Sequence, residues 1–239
     1  MKNTYQFAER KVEIHSVYSD IHSCCRDYLA SGRPDFKVET TQSDIDRERE
    51  KSIREGEMKG SYDLTDACLE ILAVYRRIAE KMPDYDTFLF HGSAVAVYGQ
   101  AYIFTAKSGT GKSTHAALWR KMLGESAVMV NDDKPLIRAA EGKTVVYGTP
   151  WNGKHHLSSN ISAPVRSICI LEQAEVNAIR RISNEEAYPV LLQQTYRPAA
   201  PAALSKTLQL LDRLDVRFYR LSCNMELSAA ELSYHTMKG

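Results

Sequence analysis

The chain has 239 residues, of which 44% are hydrophobic and 26% are charged, and its formal net charge at pH 7 is +1. These values are typical of a globular protein with a hydrophobic core, and the length predicts one domain or one domain with a small addition. A net charge near zero provides no electrostatic basis for binding nucleic acid or an anionic membrane surface, so we expect neither as a partner.

No apolar stretch approaches the length of a membrane span, and residues 1–6 lack the apolar core of a secretory signal. The cysteines form an odd, scattered set that suits neither a disulfide framework nor a zinc site. They are Cys24, Cys25, Cys68, Cys169 and Cys223. Free thiols of this kind are typical of a reducing compartment, and the sequence therefore predicts a cytoplasmic protein.

Residues 1–62 are predicted to form a small β-rich N-terminal part, and residues 63–239 a larger catalytic domain. Short alternating stretches such as residues 12–17 indicate edge or surface strands. Residues 44–56 carry a run of mixed charge, which is typical of a solvated face or loop and not of a binding patch.

The clearest predicted helix covers residues 66–82, where apolar side chains recur at helical spacing, and Pro83 ends it. Two apolar runs follow at residues 94–98 and 101–105. The link between them, Gly99-Gln100, has only two residues, and this spacing predicts a β-hairpin.

The second strand of this hairpin leads into residues 105–115, which read TAKSGTGKSTH, and a helical pattern follows over residues 115–123. A strand, a glycine-bearing turn, a lysine, a hydroxyl residue and a helix in this order are typical of a phosphate-binding loop. The full motif has glycine at its first position, where this chain has Ala106, so three of the four fixed positions match.

Such a loop binds phosphate because glycine lets successive backbone N–H groups face inward and because the next helix begins with unpaired N–H groups. In this reading Lys112 reaches the β- and γ-phosphates, and the Ser113 hydroxyl ligates Mg²⁺. The predicted nucleotide-binding residues are Lys107, Ser108, Gly109, Thr110, Gly111, Lys112, Ser113 and Thr114.

A short apolar run at residues 127–130 ends in Asn131-Asp132-Asp133-Lys134-Pro135. A strand that delivers two carboxylates at its tip can hold Mg²⁺ with one of them and act on a hydroxyl with the other. The same residues are also good turn formers, so a plain turn is the alternative. We favour the metal-binding interpretation because a phosphate-binding loop precedes it by about twenty residues.

The remaining sequence alternates between predicted strands and helices. Strands are predicted at residues 144–147, 167–171, 178–182 and 216–221. Helices are predicted at residues 184–196, 201–213 and 228–237. The predicted fold class is therefore α/β with a mixed sheet.

The succession of His91-Gly92, the hairpin, Ser108 to Ser113 and Asp132-Asp133 is similar to the catalytic domain of bacterial HPr kinase/phosphorylase. The resemblance covers about residues 86–175. It implies a P-loop kinase domain of the HPr kinase and phosphoenolpyruvate carboxykinase type. Shorter members of this superfamily phosphorylate other hydroxyls, including serines of ribosomal-peptide precursors. Oligomers are common in the family, and a homo-oligomer is therefore an expectation here.

The resemblance also implies a role for each matching residue. Lys112 and the loop amides would hold the phosphates of ATP, and Ser113 with Asp132 would hold Mg²⁺. Asp133 would be the base that takes the proton of the acceptor hydroxyl, and His91 would assist it. The sequence leaves the order of the two aspartates open.

Residues 149–156 form a loop with further candidates. Lys154 could reach a phosphate and Trp151 could stack on a base, with solvent exposure and ordinary packing as the alternatives. His155 and His156 lack zinc-ligand spacing relative to His91. Four arginines are candidates for neutralising the γ-phosphate, although each is also a typical surface charge. They are Arg166, Arg180, Arg181 and Arg197.

The leading hypothesis is an ATP- and Mg²⁺-dependent kinase acting on a hydroxyl of a peptide or protein serine or of a small molecule. ATP is the expected nucleotide, although a phosphate-binding loop does not itself read the base. The alternative is a nucleotide-binding regulatory or scaffold protein with little or no kinase activity, which the departure at Ala106 motivates. A carboxykinase-like activity is a third, weaker possibility.

Overall fold

Two units, each with its own sheet, make up the part of the chain that the structure describes. The computed structural model describes residues 1–54, 64–153 and 156–239. Contacts group these residues into Met1–Lys81 and Met82–Gly239. The predicted boundary between residues 62 and 63 lies outside the described residues. None of the described helices is long and apolar enough to cross a membrane.

The first unit combines a small sheet with helices. Its strands are β1 (Lys2–Phe7), β2 (Arg10–His15) and β3 (Phe36–Glu39). Strand β2 lies in the middle, antiparallel to β1 and parallel to β3. The helices are α1 (Asp20–Cys24), α2 (Gln42–Arg54) and α3 (Asp66–Lys81). The predicted helix over residues 66–82 is thus confirmed as α3, and the contacts group it with this unit.

Most of the mixed-charge run is helical, which the sequence did not predict. It lies in α2, whose Asp44 is buried and forms an ion pair with Arg77 of α3. Glu48 Oε2 lies 3.0 Å from Arg76 Nε of α3. Asp44 and Glu48 are therefore paired against α3, and the loop prediction is wrong for residues 44–54. Asp46, Arg47 and Glu50 are exposed, as a solvated face predicts.

The second unit has a mixed α/β fold, as predicted. Its strands are β4 (Thr87–Leu89), β5 (Ser93–Val97), β6 (Gln100–Thr105), β7 (Ala127–Asn131), β8 (Leu136–Ala140), β9 (Lys143–Tyr147), β10 (Ser162–Gln173), β11 (Ala178–Ile182) and β12 (Arg217–Cys223). Its α-helices are α4 (Lys112–Leu123), α5 (Asn184–Gln194), α6 (Pro201–Asp212) and α7 (Leu227–Lys238).

These nine strands of the described chain form one sheet in the order β4-β8-β9-β10-β6-β5-β7, with β12 beside β10 and β11 beside β12. Strand β10 joins the two halves because its first residues pair antiparallel with β9, and its later residues pair parallel with both β6 and β12.

The predicted hairpin is confirmed as β5 and β6, which pair antiparallel. Its turn is Tyr98-Gly99, where φ is +48° and +76°, and positive values at both central residues are typical of a tight hairpin turn. The turn lies one residue earlier than the link expected from the sequence, because Gln100 already pairs with Val97.

The carboxyl ends of four strands meet at one edge of this sheet. Strands β6, β10 and β12 are parallel, and β5 is antiparallel to both β6 and β7, so β7 runs in the same direction as the other three. The four strands end at Thr105, Asn131, Gln173 and Cys223. Ligands of open α/β sheets bind at such an edge, so this edge is a candidate ligand site.

Alternate side chains of the central strands pack against helices on opposite faces of the sheet. Ile103, Ile168 and Ile170 belong to a cluster with α5 and α6, whereas Phe104 and Cys169 belong to a cluster with α4 and α7. This alternation buries both faces of the central strands and explains their continuous apolar sequence. Cys169 is fully buried in the second of these clusters.

Gly148, which follows β9, allows three backbone segments to meet. A Cβ at this position would lie 1.9 Å from the Ser159 carbonyl oxygen and 2.7 Å from the Val130 carbonyl oxygen. We expect Gly148→Ala to lower the free energy of unfolding by about 1–3 kcal/mol, because backbone atoms cannot move aside as a side chain can. Urea denaturation measures this. Lys143→Ala, at an exposed position of β9, should change stability by less than about 0.5 kcal/mol, and equal effects of the two variants would contradict the prediction.

Candidate active site

Residues 106–111 connect β6 to α4 through two left-handed glycines. Gly109 has φ +83° and Gly111 has φ +114°, and α4 begins directly after Gly111. Apart from each glycine and its chain neighbours, no described atom lies within 4 Å of a Cβ built at either position, so glycine is favoured there by backbone conformation and not by lack of space. The start of α4 has no side-chain cap hydrogen bond, and its first N–H groups can therefore face an anion.

Lys112, the first residue of α4, is buried beside this loop. Its exposed fraction is 8%, and Nζ donates a hydrogen bond to the Ala106 carbonyl at 3.0 Å. Burial lowers the pKa of Lys112, although the charge of Asp133 partly opposes this effect. Ala106 is buried and does not have a positive φ, so an alanine fits at the position where the motif has glycine.

Asp132 follows β7, and its two carboxylate oxygens have different surroundings. The residue is 3% exposed, and its Oδ1 accepts a hydrogen bond from the Gly153 backbone N–H at 2.6 Å. Its Oδ2 is buried and has no hydrogen-bond partner among the described residues. A buried carboxylate oxygen without a donor is costly in free energy, and a cation or another donor at this point would offset that cost.

Asp133 has a different environment, because positively charged or donating groups contact both of its oxygens. His91 Nε2 lies 3.2 Å from Oδ1, and Lys134 Nζ lies 3.1 Å from Oδ2. Burial raises the pKa of Asp133, but the hydrogen bond from His91 and the charge of Lys134 lower it by more, so its pKa lies below the ordinary value. Asp133 is therefore an ionised carboxylate at neutral pH.

Backbone hydrogen bonds hold His91 and Asp133 against each other. The His91 N–H donates to the Gln194 carbonyl at 2.7 Å, and the His91 carbonyl accepts from Thr105 Oγ1 at 2.9 Å. The Gly92 N–H donates to the Asp133 carbonyl at 3.0 Å. The segment before the hairpin is thus bonded to the tip of β7, which explains how residues far apart in sequence share one site.

Asn131, which the sequence analysis did not select, organises the turn that carries both aspartates. Its Oδ1 accepts from the backbone N–H groups of Asp133 and Lys134 at 2.8 and 2.6 Å, and its Nδ2 donates to the Thr149 carbonyl at 3.0 Å. This arrangement is an Asx-type turn, the alternative that the sequence left open. The turn and the presentation of carboxylates therefore coexist, and an asparagine before the paired aspartates was the available signal.

Two cavities flank the start of α4. The polar cavity has a volume of about 440 Å³ and is lined by His91, Ser108, Gly109, Gly111, Lys112, Ser113, Thr114, Asp132, Asp133 and Gly153. The apolar cavity has a volume of about 420 Å³ and is lined by Thr110, Gly111, Thr114, His115, Leu118, Leu171, Gln173, Ala174, Glu175, Cys223, Asn224 and Met225. The two share Gly111 and Thr114, so they are neighbours around one loop.

Most of the candidates from the sequence line the polar cavity. The exceptions among the loop residues are Thr110, which lines the apolar cavity, and Lys107, which is exposed and lines neither. Trp151 is buried, as the packing alternative predicted. Lys154 and His155 lie outside the described residues.

None of the four candidate arginines lines the polar cavity. Arg180 pairs with Glu186 and Arg166 donates to the Lys238 carbonyl, while Arg181 and Arg197 are exposed. His156 lines a third cavity away from the aspartates. Within the described ranges, no group of three or more His, Cys, Asp or Glu side chains could hold a metal ion, so any cation here would also need ligands from hydroxyls, water or substrate.

No protein-family model matches the chain, and no curated protein matches it. Among solved structures, the HPr(Ser) kinase/phosphatase from Coxiella burnetii is similar, with 10% sequence identity and a TM-score of 0.34. The match covers 63% of this chain and 99% of that one. This is a distant likeness of fold, and it carries no argument about the reaction.

Proposed function

We propose that this chain is an ATP- and Mg²⁺-dependent kinase that transfers a γ-phosphoryl group to a hydroxyl of a peptide or protein serine or of a small molecule. One observation carries the proposal. A single polar cavity has a glycine loop, a buried lysine and a helix N-terminus on one side and two differently bonded aspartates on the other. In this proposal the domain is a P-loop kinase of the HPr kinase type.

The two neighbouring cavities suit the two halves of a nucleotide. The polar cavity would take the phosphates, where the first N–H groups of α4 and Lys112 provide positive electrostatic potential. The apolar cavity would take the base and part of the sugar, because residues such as Leu118 and Leu171 offer apolar surface. The bound nucleotide would then extend over Gly111 and Thr114, which line both cavities.

The residues of the polar cavity fit a magnesium ion. Mg²⁺ prefers oxygen ligands and usually retains water and phosphate oxygens, so few protein ligands suffice. Asp132 Oδ2 is buried and has no partner within the part of the chain that the structure describes, and Ser113 lines the same cavity. We propose these two residues as its ligands. When bound, the ion would neutralise the charge that develops on the phosphates during transfer.

Asp133 is the proposed base. It is ionised, it lines the cavity beside Lys112, and His91 fixes its orientation. The acceptor oxygen would attack the γ-phosphorus, the bond from that phosphorus to the bridging oxygen would break, and ADP would leave with the electron pair. The hydroxyl proton would pass to the Asp133 carboxylate. A carboxylate of low pKa suffices because this reaction depends mainly on position and charge neutralisation.

The low pKa of Asp133 also supports the second candidate function, a nucleotide-binding regulatory protein with little turnover. A weakly basic carboxylate that is paired with both His91 and Lys134 is poorly prepared to accept a proton. Tight binding of Mg·ATP without transfer to any serine peptide or hydroxyl metabolite would favour this second function.

We expect Lys112→Met to weaken ATP binding by about 10- to 100-fold, because a charged hydrogen bond contributes about 1.5–3 kcal/mol. Titration calorimetry with Mg·ATP measures the affinity, and transfer of labelled γ-phosphate to serine peptides measures the reaction. Lys121→Met, at an exposed position of the same helix, is the matched control and should bind ATP normally. Unchanged ATP binding by Lys112→Met would contradict the proposed phosphate-binding role of this loop.

A further inference from the structure

His115 lies in the first turn of α4 and takes no part in the proposed transfer. It is 2% exposed and is one of the residues that line the apolar cavity. Its ring packs edge-on against Phe104, with ring centres 4.7 Å apart and an interplanar angle of 74°. In a buried histidine each of the two ring nitrogens is expected to have a hydrogen-bond partner.

One nitrogen of His115 is engaged by a network around Ser233 of α7. Ser233 Oγ lies 2.9 Å from His115 Nε2 and 2.8 Å from Trp119 Nε1, and it lies 3.0 Å from the Ala230 carbonyl. An indole N–H can only donate and a carbonyl can only accept. The serine hydroxyl therefore donates to the carbonyl, and its lone pairs accept from Trp119 and His115. This assignment satisfies all three contacts of the hydroxyl and places the ring proton of His115 on Nε2.

The other nitrogen, Nδ1, must then carry a lone pair. It is buried and has no hydrogen-bond partner among the described residues. The ring is 2% exposed and forms no ion pair among the described residues, so a charged ring would be costly there and the neutral form is favoured. His115 Nδ1 is thus an acceptor to which no described residue donates, on a side chain that lines a cavity, and such an atom is unfavourable unless a ligand supplies the donor.

Two other polar side chains that line the cavity are already engaged. Gln173 Nε2 donates to the carbonyls of Gly109 and Thr110 at 3.4 and 3.3 Å. The side chain of Asn224 donates to the Glu175 carbonyl and accepts from the Glu226 N–H. His115 differs from both because its Nδ1 is buried and has no hydrogen-bond partner among the described residues, whereas Gln173 is exposed and Asn224 is partly exposed.

We propose that His115 Nδ1 accepts a hydrogen bond from the amino group of the nucleotide base, so that the cavity selects a 6-aminopurine over a 6-oxopurine. The inference rests on the proposed nucleotide binding and adds the identity of the base to it. An amino group supplies the missing donor. An oxo group is an acceptor, and its lone pair would face the lone pair of Nδ1 without forming a hydrogen bond. Sites built to bond a polar group discriminate strongly against a ligand that lacks it.

The test compares Mg·ATP with Mg·ITP, which differ at the 6-position in this way, by titration calorimetry on the full chain. We expect wild type to bind ATP at least about 10-fold more tightly than ITP, as the loss of one buried hydrogen bond predicts. His115→Phe retains a ring of similar shape and removes the acceptor. It should bring the ATP-to-ITP ratio close to one while ITP still binds.

Two further variants test the origin of the selectivity. Ser233→Ala removes the acceptor that holds the proton on Nε2. The ring can then also adopt the tautomer with its proton on Nδ1, and this N–H can donate to an oxo group. We expect this variant to bind ITP several-fold more tightly than wild type does. Trp119→Phe removes the other donor of the network but leaves the bond between Ser233 and His115, so it should keep the wild-type ratio. Circular dichroism establishes that each variant is folded.

The outcomes separate this inference from the proposed function. Equal binding of ATP and ITP by wild type would overturn the role of His115 and leave nucleotide binding intact. Retention of selectivity by both His115→Phe and Ser233→Ala would assign base recognition to another group. Failure of wild type to bind either nucleotide would overturn the proposed function itself, and the inference with it.

Discussion

Replacement of Asp133 by asparagine is expected to lower the rate of phosphoryl transfer by about 10²- to 10⁴-fold, the usual contribution of a general base. ATP affinity should stay within a few-fold of wild type. Asparagine has nearly the same shape and can still accept a hydrogen bond from His91, but it cannot take a proton from the acceptor hydroxyl. The loss should therefore appear in kcat and not in nucleotide binding.

Single-turnover transfer of labelled γ-phosphate at saturating Mg²⁺ measures this effect. The acceptors to screen are pools of serine peptides and hydroxyl metabolites. Asp212→Asn, the same change at an exposed position of α6, controls for net charge. If the Asp133 variant transferred phosphate as fast as wild type, Asp133 would not be the base.

Replacement of Asp132 by asparagine is expected to raise the Mg²⁺ concentration needed for half-maximal nucleotide binding and activity by at least about 10-fold, because altered metal-site residues typically cost 10- to 100-fold in metal affinity. The asparagine oxygen can keep the hydrogen bond that Oδ1 accepts from the Gly153 N–H. Its NH₂ group then replaces Oδ2, and an NH₂ group cannot ligate a cation. If the amide flipped, its NH₂ group would face the Gly153 N–H, and two donors would oppose each other. The flipped form is therefore unfavourable and does not restore an oxygen ligand for Mg²⁺.

Titrations of Mg²⁺ at fixed ATP, followed both by binding and by transfer, measure this shift. Saturating Mg²⁺ should recover most of the Asp132 variant's activity but none of the Asp133 variant's. This difference would assign Mg²⁺ binding to Asp132 and the role of base to Asp133. The opposite pattern would exchange these two roles. Ordinary Mg²⁺ dependence in both variants would mean that neither carboxylate binds the ion.

The two aspartates show how far the sequence reaches at this site. Their position after an apolar strand predicted a pair of carboxylates near a phosphate-binding loop, but the order of their roles stayed open. In the structure the two side chains have different hydrogen-bond partners, and these partners lie far along the chain. Asp132 contacts Gly153, which is 21 residues away, and Asp133 contacts His91 on the segment before the hairpin. No local pattern encodes such contacts.

The same reasoning applies to the secondary structure. The sequence predicted the hairpin and α3 correctly, because turn residues and helical spacing are local properties. It missed β8, Leu136–Ala140, whose short apolar stretch becomes a strand by pairing with β4 and β9. It also missed the helical form of the charged run, because the arginines that neutralise α2 belong to α3.

By itself the sequence determined the α/β class, the loop from Ala106 to Gly111 and most of the residues that face the polar cavity, because strand periodicity and glycine conformation act within a few residues. Only the tertiary structure decided that a second, apolar cavity adjoins this loop, since its walls come from the ends of β10 and β12. Only the tertiary structure also placed Ser233, which lies 118 residues further along the chain, within hydrogen-bond distance of His115 Nε2. The direction of a buried hydrogen bond depends on all the donors and acceptors that meet at that point, and folding alone brings them together.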